Sequence, residues 1–170
     1  MILIQTSDFD NFHSLAQSIA NTNELQAYID RYEEKYIKLI LGAVLGELYI
    51  VDKSNPTQDP IFVVIEDAFI MDENSSIRES KGLKDVLLSL IFYHYVFDTQ
   101  TKHSQSGVTI NQSEVSNTNS PENAARFGEQ KWNDSLDSIE SIQWYVTVFA
   151  PDDYPEYNGT QFKPRFSPLL

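Results

Sequence analysis

The segment from Val86 to Phe97 is an almost wholly apolar run, and it constrains the fold more than any other part of the sequence. Its only polar side chains are Ser89, His94 and the hydroxyl-bearing rings of two tyrosines. A helix formed by this run is hydrophobic on nearly every side and must be covered on every side. Because a 170-residue chain has a limited supply of covering surface, we expect a second copy of the chain to provide part of the cover.

The composition is that of one globular domain with an acidic surface. The chain is 41% hydrophobic and 22% charged, and its 25 acidic against 12 basic side chains give a formal charge of -13. This charge argues against a surface that neutralises phosphates, so tight nucleic-acid binding is not expected. The absence of cysteine excludes disulfides and thiolate chemistry. The first ten residues lack a basic region and no apolar run would span a bilayer, so we expect a soluble protein made in the cytoplasm.

The first half of the chain is predicted to be helical. Residues 8–20 fit a short amphipathic helix, and residues 24–43 place apolar side chains three and four positions apart along one face. Gly42 and Gly46 predict a bend or break, after which the chain continues as a second helical stretch to Val51.

The segment from residue 53 to residue 80 is harder to interpret. Residues 53–60 are turn-like because they hold two prolines beside Asn and Asp. The run at residues 61–71 suits either a strand or a helix, and its helical neighbours favour a helix. Residues 72–80 are predicted to form a polar connection.

The second half of the chain is predicted to contain two long helices joined by an arm. The apolar helix covers residues 81–98, and the arm at residues 99–120 is rich in Ser, Asn and Gln, with room for a short hairpin at residues 106–115. Arms of this length are usually functional or disordered. Ser120 and Pro121 then predict the start of a helix of roughly seven turns. Its apolar positions recur every seven residues at Ala125, Trp132, Ile139 and Val146.

These predictions combine into a mostly α fold. We expect a helical bundle at residues 1–150, with the arm at 99–120 between its last two helices. Pro151 ends the last helix. Residues 151–170 contain four prolines and four aromatic residues, so they predict an extended C-terminal tail.

No residue pattern indicates catalysis or a cofactor. The three histidines, at positions 13, 94 and 103, lack metal-ligand spacing, and His94 is interpreted as a satisfied core or interface residue. The paired carboxylates lie on polar faces or in loops and are interpreted as solvated charges. No glycine-rich phosphate loop, nucleophile elbow or HExxH motif occurs. We therefore predict no catalytic, cofactor-binding or metal site.

Aromatic residues are the more informative set. Tyr28, Tyr32 and Tyr36 form a helical stripe, for which core packing is the favoured interpretation. The tail aromatics have no periodic frame, so packing in the core and anchoring on a neighbour are about equally favoured. Basic tail residues on an acidic chain would suit contact between copies. The predicted interface consists of Tyr154, Tyr157, Phe162, Lys163, Arg165 and Phe166 of the tail, with Val108 and Ile110 of the arm.

Three stretches of the chain resemble a known protein family. They are LQAYIDRYEEKYIKLILGAVLGELY at residues 25–49, GLKDVLLSLIFYHYVFDTQTKHSQSGV at 82–108, and RFGEQKWNDSLDSIESIQWYV at 126–146 followed by YPEYNG. Together they resemble the head–tail connector proteins, also called adaptor or neck ring proteins, of tailed bacteriophages, most closely those of crAss-like and related Bacteroidetes phages. The stretches share patterns of size and polarity and carry no catalytic signature.

The resemblance implies a structural virion protein located in the neck. Family members form rings, commonly of twelve copies, between the portal and the tail, and the genome passes through a central channel. The resemblance thus implies that this chain contacts itself, the portal and other neck or tail proteins, without binding DNA specifically. An acidic lumen fits this role, because like charges keep a polyanion mobile.

Two alternatives belong to other classes of protein. One is an acidic helical binding module that sequesters a single host or phage protein. The other is an enzyme that uses an Asp/Glu pair, but no base, nucleophile or metal partner is placed beside such a pair. Turnover abolished by one carboxylate substitution would favour the enzyme, and a one-to-one complex with a non-virion partner would favour the binding module.

Overall fold

The fold of the chain is mostly helical, as predicted. The computed structural model describes residues 3–9, 22–73, 76–104, 107–110 and 121–158. In these ranges the helices are α1 (Thr22–Leu41), α2 (Ala43–Asp52), α3 (Pro60–Glu66), α4 (Gly82–Gln100) and α5 (Pro121–Trp144), the last continued by a π-helical turn at Tyr145–Phe149. The strands are β1 (Phe69–Glu73), β2 (Ser76–Ser80), β3 (Thr101–Ser104) and β4 (Gly107–Ile110).

The break between α1 and α2 lies at Gly42, as the sequence predicts. Gly42 has a φ of 83°, a left-handed conformation that favours glycine, and it ends the first helix. Gly46 lies where α2 turns back on α1, because a Cβ added there would lie 3.0 Å from the Cα of Lys38. Gly42 therefore allows a sharp turn between the two helices, and Gly46 allows α2 to pack closely on α1.

The apolar helix α4 lies at the centre of the molecule and is covered by this chain alone. Every side chain from Val86 to Tyr93 is buried, and α4 packs against α1, α3 and α5. The part of the helix from Val86 to Tyr93 therefore needs no cover from a second copy. Among its described apolar side chains, only Phe97 in the last turn is exposed.

The helix α5 covers one side of α4 through the positions predicted from its seven-residue repeat. Trp132, Ile139 and Val146 are all buried. Gly128 lies against Tyr93 of α4, where an added Cβ would make an ordinary contact at 3.4 Å. The predicted helix start at Pro121 is confirmed, and the helical structure ends at Phe149, just before Pro151.

The region from residue 61 to residue 80 differs from the prediction. The preferred helix is confirmed as far as Glu66, but the chain then forms strand β1, and the supposed polar connection contains strand β2. The two strands pair antiparallel, with Phe69 opposite Ser80 and Glu73 opposite Ser76. The alternating signal was hidden because one face of this hairpin carries mainly polar side chains.

The hairpin is joined to α4 at a position that only glycine fits. Gly82 has a φ of 85°, and a Cβ added there would overlap the carbonyl oxygen of Glu66 at the end of α3. Ser80 Oγ also donates to the carbonyl oxygen of Ser138 in α5 at 3.3 Å, and Ser138 Oγ accepts from the backbone N–H of Lys81 at 3.3 Å. The hairpin is therefore fixed against both α3 and α5.

A short N-terminal segment completes the described core. Ile4 and Phe9 are fully buried, although the sequence pattern singled out only Phe9. The buried carboxylate of Glu33 accepts the backbone N–H groups of Leu3 at 2.6 Å and Ile4 at 2.7 Å. A carboxylate that receives two buried donors holds the segment on α1. From residue 10 onward, the predicted helix at 8–20 lies outside the described residues.

The arm contains a hairpin, slightly earlier in the chain than predicted. Strands β3 and β4 pair antiparallel, with Thr101 opposite Ile110 and Ser104 opposite Gly107. The observed hairpin thus covers residues 101–110 instead of 106–115, and the arm beyond Ile110 lies outside the described residues. The described part of the C-terminal tail, residues 151–158, forms turns.

Candidate functional site

The helix α2 carries a row of exposed apolar side chains. Val44, Leu48 and Val51 follow one another at spacings of four and three, and each is between 43% and 55% exposed. Residues at this spacing share one face of a helix. The opposite face packs Leu45 and Tyr49 into the core. We call the three exposed residues the α2 stripe.

The outer face of the β1–β2 hairpin carries a second apolar pair. Ile70 and Ile77 are each 73% exposed, the highest value of any described large apolar side chain. Ile70 pairs with Glu79 and Ile77 pairs with Asp72, so the two isoleucines are diagonal neighbours on one face. Met71 on the inner face is buried. We call Ile70 and Ile77 the hairpin face.

A cleft of about 540 Å³ lies between the hairpin and α5. Its volume falls in the range of about 300–1,000 Å³ that is typical of ligand-binding clefts. Lys81 Nζ lies 3.9 Å from Asp134 Oδ2, so one of the three carboxylates in the cleft is near a cation. The cleft is lined by Phe69, Ile70 and Glu79 of the hairpin, and by Lys81, Asp134 and Asp137.

An aromatic cluster surrounds His94 between α1, α4 and α5. The imidazole stacks on Tyr32 with centroids 4.1 Å apart and meets Trp132 edge-on at 6.0 Å. Tyr36 Oη and His94 Nε2 are hydrogen-bonded at 2.5 Å. Tyr28 donates to Asp98 at the rim of the cluster, at 3.1 Å. The tyrosine stripe is therefore packed in the core, as the sequence favours, and His94 is a hydrogen-bonded member of that core.

The protonation states in this cluster follow from burial. Desolvation lowers the pKa of His94, an effect opposed by Asp98 and reinforced by Lys35 and Arg31. Desolvation is also the main cause that raises the pKa of Tyr36. Both groups are thus held neutral near pH 7, which suits a packed core rather than proton transfer.

A buried ion pair joins the end of α2 to α3. Lys53 Nζ contacts the carboxylate of Glu66 and donates to Gln58 Oε1 at 2.9 Å. Lys53 also lies 5.6 Å from the ring centroid of Tyr49, whose pKa is raised mainly by burial and further by Glu66. Removing one member of such a pair leaves a buried charge uncompensated. The ion pair between Lys53 and Glu66 is therefore explained by its role in holding α2 against α3.

The predicted interface residues fall into three groups. Tyr154 is only 2% exposed and its hydroxyl donates to the carbonyl oxygen of Ile61 at 2.6 Å, so it packs in the chain's own core, the alternative that the sequence left open. Tyr157 is half-buried and packs beside it. Val108 and Ile110 lie in β4, with side chains outside the described part of the structure. Phe162, Lys163, Arg165 and Phe166 lie outside the described residues.

Sequence reasoning missed both exposed patches. The α2 stripe was hidden because α2 carries apolar side chains on its exposed face as well as on its buried face. The hairpin face gave no alternating signal, because Phe69, Ile70 and Met71 are consecutive apolar residues. The structure therefore identifies surface patches that the sequence pattern alone does not.

Other observations bear on the class of the protein. Within the described ranges, no group of His, Asp or Glu side chains is arranged to hold a metal ion. No helix in the described part of the chain is long and apolar enough to cross a membrane. Comparisons with protein-family models, curated proteins and solved structures find no match to this chain.

Proposed function

We propose that this chain is a ring-forming structural subunit of the head–tail connector of a tailed bacteriophage, between the portal and the tail. The observation that carries the proposal is the pair of exposed apolar patches, the α2 stripe and the hairpin face. Because the chain covers its own central helix, these patches are not needed to complete the core. Exposed apolar patches on a folded chain are typical of surfaces that contact another protein.

Two different patches suit a ring better than a two-fold dimer. A two-fold dimer uses the same patch on both copies, whereas a ring joins one patch to a different patch on the next copy. The α2 stripe and the hairpin face lie on separate elements and differ in shape, one being a helical row and the other a flat strand pair. This arrangement supports head-to-tail association of copies.

The charge of the chain supports a channel through which DNA passes unbound. A formal charge of -13 gives each copy a strongly acidic character, and a ring multiplies it. An acidic lumen repels the phosphate backbone, so it does not retain the genome. The resemblance in three stretches of sequence supports the position of the ring in the phage neck.

Electron microscopy of the purified full-length chain, alone and with the portal protein of the same phage, tests the proposal. We expect rings with a central channel, formed by the chain itself or on addition of the portal. The polar variant Gln130→Lys, at an exposed position on α5, serves as a control that should leave the rings intact.

Two results would contradict the proposal. Chains that stay single and bind neither portal nor tail proteins are not ring subunits. A one-to-one complex with a protein that is absent from the virion would instead establish the alternative, an acidic helical module that sequesters one partner. The hairpin face would then be the surface on which that partner docks.

A further inference from the structure

We infer that the cleft between the β1–β2 hairpin and α5 receives the tail segment Phe162–Phe166 of the adjacent copy. This inference rests on the proposed ring, and it specifies which part of one copy contacts which part of the next. The partner is therefore a second copy of this chain, which contributes a short basic and aromatic peptide.

The charge of the cleft selects a basic occupant. Glu79, Asp134 and Asp137 line it, against the single cation Lys81. Lys81 lies close only to Asp134 among them, so in the described part of the chain Glu79 and Asp137 form no ion pair. Two carboxylates at one cleft favour a ligand that brings two cations.

The cleft also selects an apolar occupant. Phe69 and the exposed Ile70 line the cleft on its hairpin side. An aromatic side chain seated against these residues would bury apolar area on both partners. The cleft thus combines an acidic wall and an apolar wall.

The tail has the matching chemistry in its sequence. Residues 159–170 contain two basic side chains and no acidic side chain, although the chain as a whole is strongly acidic. Lys163 and Arg165 lie between Phe162 and Phe166, and Pro164 stands between the two cations. Proline limits the conformations of the segment, which reduces the entropy lost on docking.

Two of the residues that line the cleft, Ile70 and Glu79, are accessible to the tail of a neighbour. Ile70 and Glu79 belong to the outer face of the hairpin, which places the cleft next to the proposed subunit contact. The chain's own tail starts on the inner side. Tyr154 lies 6.1 Å from Tyr145, and Tyr145 packs against the inward-facing Phe69 at 5.2 Å. A neighbour on the hairpin face approaches the cleft from the outside.

The contact also offsets a cost of assembly. Each copy carries a formal charge of -13, so adjacent copies repel each other. Two basic residues placed among carboxylates convert part of that repulsion into attraction at the junction. Salt weakens such contacts between exposed charges.

Zero-length carbodiimide cross-linking of the full-length chain tests the inference. Rings are assembled from an equal mixture of unlabelled and ¹⁵N-labelled chains, and the linked peptides are identified by mass spectrometry. We expect Lys163 joined to Glu79, Asp134 or Asp137 in pairs that combine a light with a heavy peptide. The oligomeric mass is measured on the same sample.

Charge reversal provides an independent measurement. Lys163→Glu with Arg165→Glu should lower the yield of these pairs and weaken assembly several-fold. Adding Asp134→Lys and Asp137→Lys to that variant should restore assembly. The matched control is Asp152→Lys with Asp153→Lys, which changes exposed carboxylates that do not line the cleft and should leave assembly unchanged.

The outcomes separate this inference from the proposed function. Rings in which Lys163 is cross-linked to residues outside the cleft overturn the inference and leave the proposed ring intact. Rings in which Lys163 is cross-linked only to peptides with its own isotope label also overturn it, because such links show that the tail docks on its own chain. Chains that remain single and form no mixed pairs overturn both.

Discussion

Gly82 occupies a position that only glycine fits without strain. Its φ of 85° is strained for any side chain, and a Cβ would overlap the carbonyl oxygen of Glu66. We predict that Gly82→Ala lowers the free energy of unfolding by more than about 2 kcal/mol. Urea denaturation followed by circular dichroism measures this.

Gly128 offers the matched control for that substitution. It lies within α5, and its added Cβ would make an ordinary contact with Tyr93 at 3.4 Å. Because alanine favours a helix over glycine, Gly128→Ala should leave stability unchanged or raise it by about 0.5–1 kcal/mol. Equal effects of the two substitutions would contradict the structure around Gly82.

His94 makes stability depend on pH. Its pKa in the folded chain lies below the ordinary value of 6.5, mainly because the imidazole is buried. The unfolded chain therefore binds the proton more readily, so stability is greatest above pH 6.5 and falls as the pH drops toward the lower folded pKa. We predict a shallower fall in His94→Gln over this window, measured by urea denaturation at several pH values.

The difference in pH dependence between wild type and His94→Gln reports on His94 alone. His13 and His103 are present in both proteins, so their contributions cancel in the difference. An identical pH dependence of wild type and variant would show that His94 is not held neutral by its surroundings.

At the scale of elements, the exposed isoleucines of the hairpin separate assembly from folding. Ile70 and Ile77 are each 73% exposed, so replacing them with lysine should cost the single chain little stability. We predict that Ile70→Lys with Ile77→Lys prevents ring formation while the circular dichroism spectrum and thermal midpoint stay near wild type. Sedimentation velocity measures the loss of assembly.

The inner face of the same hairpin gives the contrasting variant. Met71 is buried, so Met71→Lys places a charge in the core and should lower the thermal midpoint strongly. If the outer double substitution left ring formation unchanged, the hairpin face would not be a subunit contact.

The sequence predicted those elements in which the spacing of apolar residues fits a helix and does not also fit a strand. The heptad positions Trp132, Ile139 and Val146 faced the core as expected, and Gly42 ended α1 where a helix break was predicted. Residues 69–71 were assigned to a helix because the apolar run at 61–71 fits a helix or a strand equally well, and residues 72–80 were interpreted as a connection because they are mostly polar.

Burial was less predictable than secondary structure. The apolar run of α4 indicates that cover is needed but not where it comes from, and the chain's own helices supply it. Tyr154 has no periodic neighbours, so only the fold places it against Ile61. The exposed patches likewise follow from which elements pack together, a property of the tertiary structure that local patterns do not encode.

For the whole molecule, a core covered by the chain's own helices means that the proposed subunit folds before it joins a ring. Assembly then joins folded subunits through exposed patches, and its strength depends on those patches and on the repulsion between acidic copies. The proposed subunit is therefore a folded building block.

The mass of the full-length chain in solution, measured by native mass spectrometry over a range of concentrations, tests this account most directly. We expect one closed species whose mass is a fixed multiple of the 19.5 kDa chain, formed by the chain itself or once portal protein is added. A single chain of 19.5 kDa at every concentration, with and without portal, would contradict it.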